Sequence, residues 1–170
     1  MSEHTAGFEL PFRPEIPEAD QHKYPGGSFE AFSGIVLAAA AAAYERAGAE
    51  KGIDPAIVHT TTACGTVSRA LHDELAQQNI HTGFRGYPFM RYFAHYHLDT
   101  GSATPEPIVI DGAYQQFLDE PNPDAPRVLI VPRLQIREAL DAYGVSERHH
   151  HLWLEARDVD RPGFEQVRGA

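Results

Sequence analysis

Six consecutive alanines, residues 38–43, lie within a proline-free stretch at residues 29–47. Alanine has the lowest cost of any residue in a helix, so this stretch predicts a helix. Phe29, Phe32, Ile35, Val36 and the alanines after them give it a broad apolar face. Small side chains let a neighbouring element approach closely, so the helix belongs in the core. Ser28 is placed to cap it, and Gly48 and Gly52 to end it. The apolar run 35–43 is far shorter than the roughly 20 residues that cross a bilayer.

A second helix is predicted from Cys64 to about residue 78. Val67, Ala70, Leu71 and Leu75 follow the cysteine at i+3, i+4 spacing. Threonines 60–62 precede it as candidate caps, and Asn79 marks its stop. Beyond residue 80 the pattern changes. Short strands are predicted at 80–85, 89–99, 108–110 and 128–131, with a last one at 152–156. Residues 100–107 read as a hairpin loop, 114–118 as a helical turn, and 134–143 as an amphipathic helix ended by Gly144. Helices followed by antiparallel strands indicate an α+β fold, with the helices on one side of a sheet. The chain divides into a Pro-rich arm (1–28), one α+β domain (29–157) and a polar tail (158–170), and its 170 residues suit a single domain.

Asp and Glu number 24 against 14 Lys and Arg, a net charge of 14 − 24 = −10 with histidine neutral. That excludes a basic nucleic-acid footprint and disfavours an anionic membrane surface. A single cysteine forms no intrachain disulfide, and the N-terminus lacks a basic start followed by an apolar run. Both features suit a cytoplasmic protein. His149, His150 and His151 are consecutive and read as a solvated or partly packed turn.

Cys64 is therefore a lone thiol in the first turn of a helix, where the helix dipole favours thiolate. On the predicted strand His95, His97 and Asp99 share one face. The next strand ends at Asp111, and a hairpin through 100–107 returns it beside His95 or His97. An imidazole beside a thiol stabilises thiolate, and a carboxylate orients the imidazole. The parts come in the chain order Cys, His, Asp.

Over residues 60–118 this arrangement resembles the papain-like cysteine protease and transglutaminase fold, in its compact bacterial branch of effector proteases, deamidases and papain-fold toxins. The stretch Ile110-Asp111-Gly112-Ala113-Tyr114-Gln115-Gln116-Phe117 is similar to that branch's hydrophobic-Asp-Pro-Thr-Tyr-x-Gln-Phe, with Gly112 and Ala113 in place of Pro-Thr. The resemblance implies Cys64 as nucleophile, His95 as base with His97 as the alternative, and Asp111 as orienter. It implies amide, peptide or thioester chemistry through a thioester intermediate, without cofactor or metal. Protein, peptide or small acyl and amine compounds are the implied substrates. The Cys64 backbone N–H is a natural oxyanion donor, and His59, Thr60 or Thr61 stand where the family adds a polar side chain. Gln115 and Gln116 either bridge the acid strand to the core or touch substrate. Two other readings stand beside this one. One is a cupin-like metal site built on His95 and His97. The other is a non-catalytic binding domain on a degenerate papain-like fold.

Overall fold

A computed structural model describes residues 12–162. Helix α1 spans Phe29–Lys51 and starts as expected, with the Ser28 side chain accepting the Ala31 N–H at 3.0 Å. It ends at Gly52, whose φ of 66° is left-handed. Gly48 does not end the helix but lies inside its last turns. There a Cβ would stand 2.6 Å from the Ile53 carbonyl oxygen, because the chain folds back over it. Helix α2 spans Cys64–Gln77. Its N-cap is Ala63, without a side-chain bond. The hydroxyls of Thr60 and Thr61 turn back instead to donate to the Ile57 and Val58 carbonyls, each at 2.7 Å. They brace the loop rather than cap the helix. Asn79, at φ 58°, breaks the chain away after it.

Five antiparallel strands follow, in the sheet order β4-β3-β2-β1-β5. They are β1 Gly83–Phe89, β2 Tyr92–Asp99, β3 Ile108–Asp111, β4 Leu129–Pro132 and β5 Arg157–Val159. The stretch 80–99 is thus a tight hairpin turning at Met90, with β1 starting later than its apolar residues suggest. Helix α3, Ile136–Tyr143, is led in by a 3-10 turn at Arg133–Gln135 and stopped by Gly144 at φ 93°. Residues 152–156 do not form a strand. His151–Leu154 is a short helix, α4, in which the adjacent Leu152 and Trp153 are both buried. A strand would have sent those two side chains to opposite faces.

The helices cover both faces of the sheet, not one. Phe84, Leu98, Ile108 and Ile110 meet the apolar faces of α1 and α2. Val109, Leu129 and Val131 meet α3 and α4 through Ile136, Leu140, Leu152 and Trp153. All four residues of β3 are buried, and a strand with two buried faces needs cover on each. Each of the large apolar side chains enclosed here, such as Phe32, Leu71 or Leu98, contributes about 1.5–3 kcal/mol relative to exposure.

The expected tail begins later than residue 158, since Asp158 and Val159 pair with Arg85 and Phe84 of β1. The arm holds a 3-10 helix, Glu18–Lys23. Gln135 fastens the arm, its amide accepting Glu15 N–H at 2.8 Å and donating to Glu15 O at 2.7 Å. Residues 1–11 and 163–170 lie outside the described residues. Among the described residues no helix is long and apolar enough to cross a membrane.

Candidate active site

Strand β3 pairs with β2 at only two positions, Leu98↔Ile110 and Asp99↔Val109, before the chain turns at Gly112. The first half of β2 therefore has an open edge on that side. The N-terminus of α2 fills it. Cys64, 8% exposed, packs with Tyr96 and Ala113 there. The turn is pressed tightly against the helices. A Cβ on Gly112 would lie 2.8 Å from Val67 Cγ1 and 3.2 Å from the Tyr44 hydroxyl, and that hydroxyl reaches Gly112 O at 2.8 Å. This contact accounts for glycine after the aspartate.

His95 is fully buried, with Nε2 2.5 Å from Asp111 Oδ2. An ionised carboxylate only accepts, so Nε2 carries the proton. That leaves Nδ1 for the ring's other hydrogen-bond partner, the Cys64 thiol. Trp153 completes the arrangement. Its Nε1–H donates to the same Asp111 Oδ2 at 2.7 Å, while Asp111 Oδ1 accepts Ala113 N–H at 2.8 Å. The edges of Trp153 and Phe117 wall the imidazole, with ring centroids 5.1 and 4.9 Å away.

These contacts set the charges. Burial pushes the Cys64 thiol up, but the hydrogen bond and positive charge of His95, aided by the Tyr96 backbone, hold it below its ordinary value. Burial alone would lower His95. The Asp111 charge and hydrogen bond, with Cys64 behind them, push it up to about 10 instead. Burial raises the Asp111 carboxyl, and His95 more than reverses this, so it sits below the usual carboxylate range. Each shift runs toward the charged form of its group: thiolate, imidazolium and carboxylate.

His97 lies on the same strand face, stacked at 27° with its ring centroid 6.1 Å from that of His95. Burial pushes it down to about 3, and its Nδ1 has no partner. It is a neutral imidazole behind the row, so His95, not His97, stands between thiol and carboxylate. Asp99 is drawn off by Arg133, whose Nε and Nη2 donate to its Oδ2 at 2.9 and 2.7 Å.

The other residues marked in the sequence divide. Thr61 is used by the loop, as described. Gln115 donates to the Pro126 and Ala125 carbonyls at 2.8 and 3.3 Å, tying the turn after Asp111 to the loop before β4. His59 is buried against Tyr44, with Nδ1 unpartnered. Gln116 reaches the site. Its Nε2 donates to Ala113 O at 3.0 Å and lies 3.5 Å from His95 Nδ1, the edge that serves the thiol. Trp153 went unmarked in the sequence. The signal available was its indole N–H, which needs a partner wherever the chain's single tryptophan is buried.

His95, His97 and Asp111 offer ligand atoms within 4.8 Å of one another. However, Asp111 already accepts His95, Trp153 and the Ala113 N–H. A metal taking Oδ2 would strip the buried indole N–H of its acceptor, so the donor set fits hydrogen bonding better than ligation. The open five-stranded sheet is also not a barrel.

Comparison of the chain with protein-family models, with curated proteins and with solved structures returns no match.

Proposed function

We propose that this chain is a cysteine-dependent acyl-transfer or hydrolytic enzyme of papain-like kind, working through Cys64, His95 and Asp111. The observation that carries the reading is the continuous row from thiol to imidazole to carboxylate, buried and walled by Trp153 and Phe117. The placement of these groups on a helix start, a strand and the end of the next strand supports the resemblance seen in the sequence.

In this reading the Cys64 thiolate attacks a carbonyl carbon. A C–S bond forms and the carbonyl electrons move to oxygen. The Cys64 backbone N–H at the helix start and the second N–H of Gln116, whose Nε2 lies 3.5 Å from His95 Nδ1, are the donors offered to that developing charge. As the intermediate collapses, the bond to the leaving amine or thiol breaks, and the departing group takes the proton of His95 Nδ1. The thioester then meets water or an amine. Neutral His95 removes the proton of this second nucleophile, the C–S bond breaks, and the thiolate and imidazolium are restored. Asp111 keeps its charge throughout and holds the ring by Nε2. A reducing cytoplasm keeps the thiol available, and protein, peptide or small acyl compounds are the substrates.

Exposure to 4-nitrophenyl acetate tests the acylation step without knowledge of the natural substrate. The expected result is a burst of about one equivalent of 4-nitrophenolate with an acetyl group recovered on the Cys64 peptide, absent in Cys64→Ser. Acetyl groups found on lysines alone, with no burst, would reject the reading.

A further inference from the structure

An open groove of about 390 Å³ is lined by Phe93, Asp158, Val159 and Asp160. Phe93 and Val159 are also the residues that pack against the cluster of Cys64, Tyr96 and Ala113. We infer that this groove binds a basic side chain of the substrate, an arginine or lysine next to the carbonyl that Cys64 attacks. The inference rests on the acyl-transfer reading of the site.

The floor is built by two irregularities of the sheet. The β1–β2 register shifts between Tyr87 and Pro88, where Tyr87 pairs with His95 but Pro88 pairs with Phe93. Ala94 is the extra residue. In a regular strand Phe93 would share the face of His95. The bulge re-aims it to the face of Tyr96, with the two rings 5.1 Å apart. Room for the ring comes from Gly86 on the neighbouring strand, where a Cβ would stand 2.8 Å from Phe93 Cδ1. An aromatic shelf is thus brought to the nucleophile's side of the sheet.

The rim is acidic. Asp158 shares its charge with Arg85 at 2.8 Å, whereas Asp160 has no ion pair among the described residues. Among the described residues, the cations near it in sequence do not fill the groove. Arg157 is exposed and is not part of the lining, and Arg161 is held by Asp73 through two bonds of 2.7 Å. A basic side chain suits this combination. Its alkyl stem covers Phe93 and Val159 while its head stays in water at the carboxylates. A guanidinium adds stacking on the ring and a forked bond to a carboxylate. The protein's net charge of −10 draws the same substrates.

Three thiol-directed reagents test this: the chloromethyl ketones of acetyl-arginine, of acetyl-citrulline (its neutral isostere) and of acetyl-glutamate. Their rates of Cys64 alkylation are compared in the native protein and in Asp160→Asn. The arginine reagent is expected to react about ten-fold faster than the citrulline reagent, and the glutamate reagent slowest. In Asp160→Asn the arginine advantage should fall toward unity with the citrulline rate unchanged. Equal arginine and citrulline rates, or an advantage that survives both Asp160→Asn and Asp158→Asn, would overturn the subsite while leaving the nucleophile in place. Failure of all three reagents to label Cys64 would overturn the acyl-transfer reading and the subsite together.

Discussion

Asp111→Ala should destabilise the folded chain by about 3–5 kcal/mol near pH 6, because it removes one partner of a fully buried ion pair. The indole N–H of Trp153 and the Ala113 N–H lose their acceptor at the same time. The pH dependence identifies the cause. His95 is raised in the folded state from an ordinary 6.5 to about 10, so its contribution is complete below pH 6.5 and is lost as pH rises through about 10. Asp111 is lowered, so its contribution is present above its ordinary 3.8 and is lost as pH falls through the lower folded value. The gap between native and variant is therefore widest between about pH 4 and 6.5 and shrinks toward pH 10. Urea denaturation at about pH 6 and at about pH 9.5 measures both ends of this range. An equal gap at the two pH values would mean that packing, not the ion pair, carries the effect.

The second large effect belongs to His97 and has the opposite sign. Its folded-state value is pushed down to about 3 from an ordinary 6.5, so the unfolded chain takes up a proton that the folded chain refuses. Native stability should fall as pH drops below about 6.5, by up to several kcal/mol by the time it nears 3. His97→Gln removes this term. The variant is expected to be the weaker protein at neutral pH, having lost buried packing, but to show a shallower decline between about pH 6.5 and 4. His59, His72 and His149, also held below their ordinary range, keep a residual slope in both proteins. Identical slopes in urea titrations across this window would contradict a buried neutral His97.

Much of this was legible in the sequence because it is local. Alternation along β2 puts His95 and His97 on one face, a hairpin returns Asp111 beside them, and periodicity places Cys64 at a helix start. The choice of His95 over His97 is not local. It depends on where β3 leaves β2, since the open edge beside residues 95–97 is what admits Cys64. Trp153 reaches Asp111 across 42 residues of chain from a four-residue helix too short to display a helical period. The same shortness makes 152–156 resemble a strand. Amphipathicity shows that α3 has a buried side, but not which face of the sheet it covers, so the two-sided arrangement was hidden. Phe93 is the clearest case of a rule giving the wrong face. Strict alternation places it with His95, and a single-residue bulge moves it to Tyr96. The threonines before α2 carry capping chemistry, yet the loop carbonyls of Ile57 and Val58 take their hydroxyls.

The proposed chemistry depends on His95 holding Cys64 as a thiolate. The most direct test is the rate of Cys64 alkylation by iodoacetamide across about pH 4–10, in the native protein and in His95→Ala. The native protein should show a thiol titrating below the ordinary value near 8.5, and the variant one at or above it, with alkylation at about pH 6 slower by roughly ten- to a hundred-fold. A native profile at the ordinary value, unchanged by the loss of His95, would contradict the account.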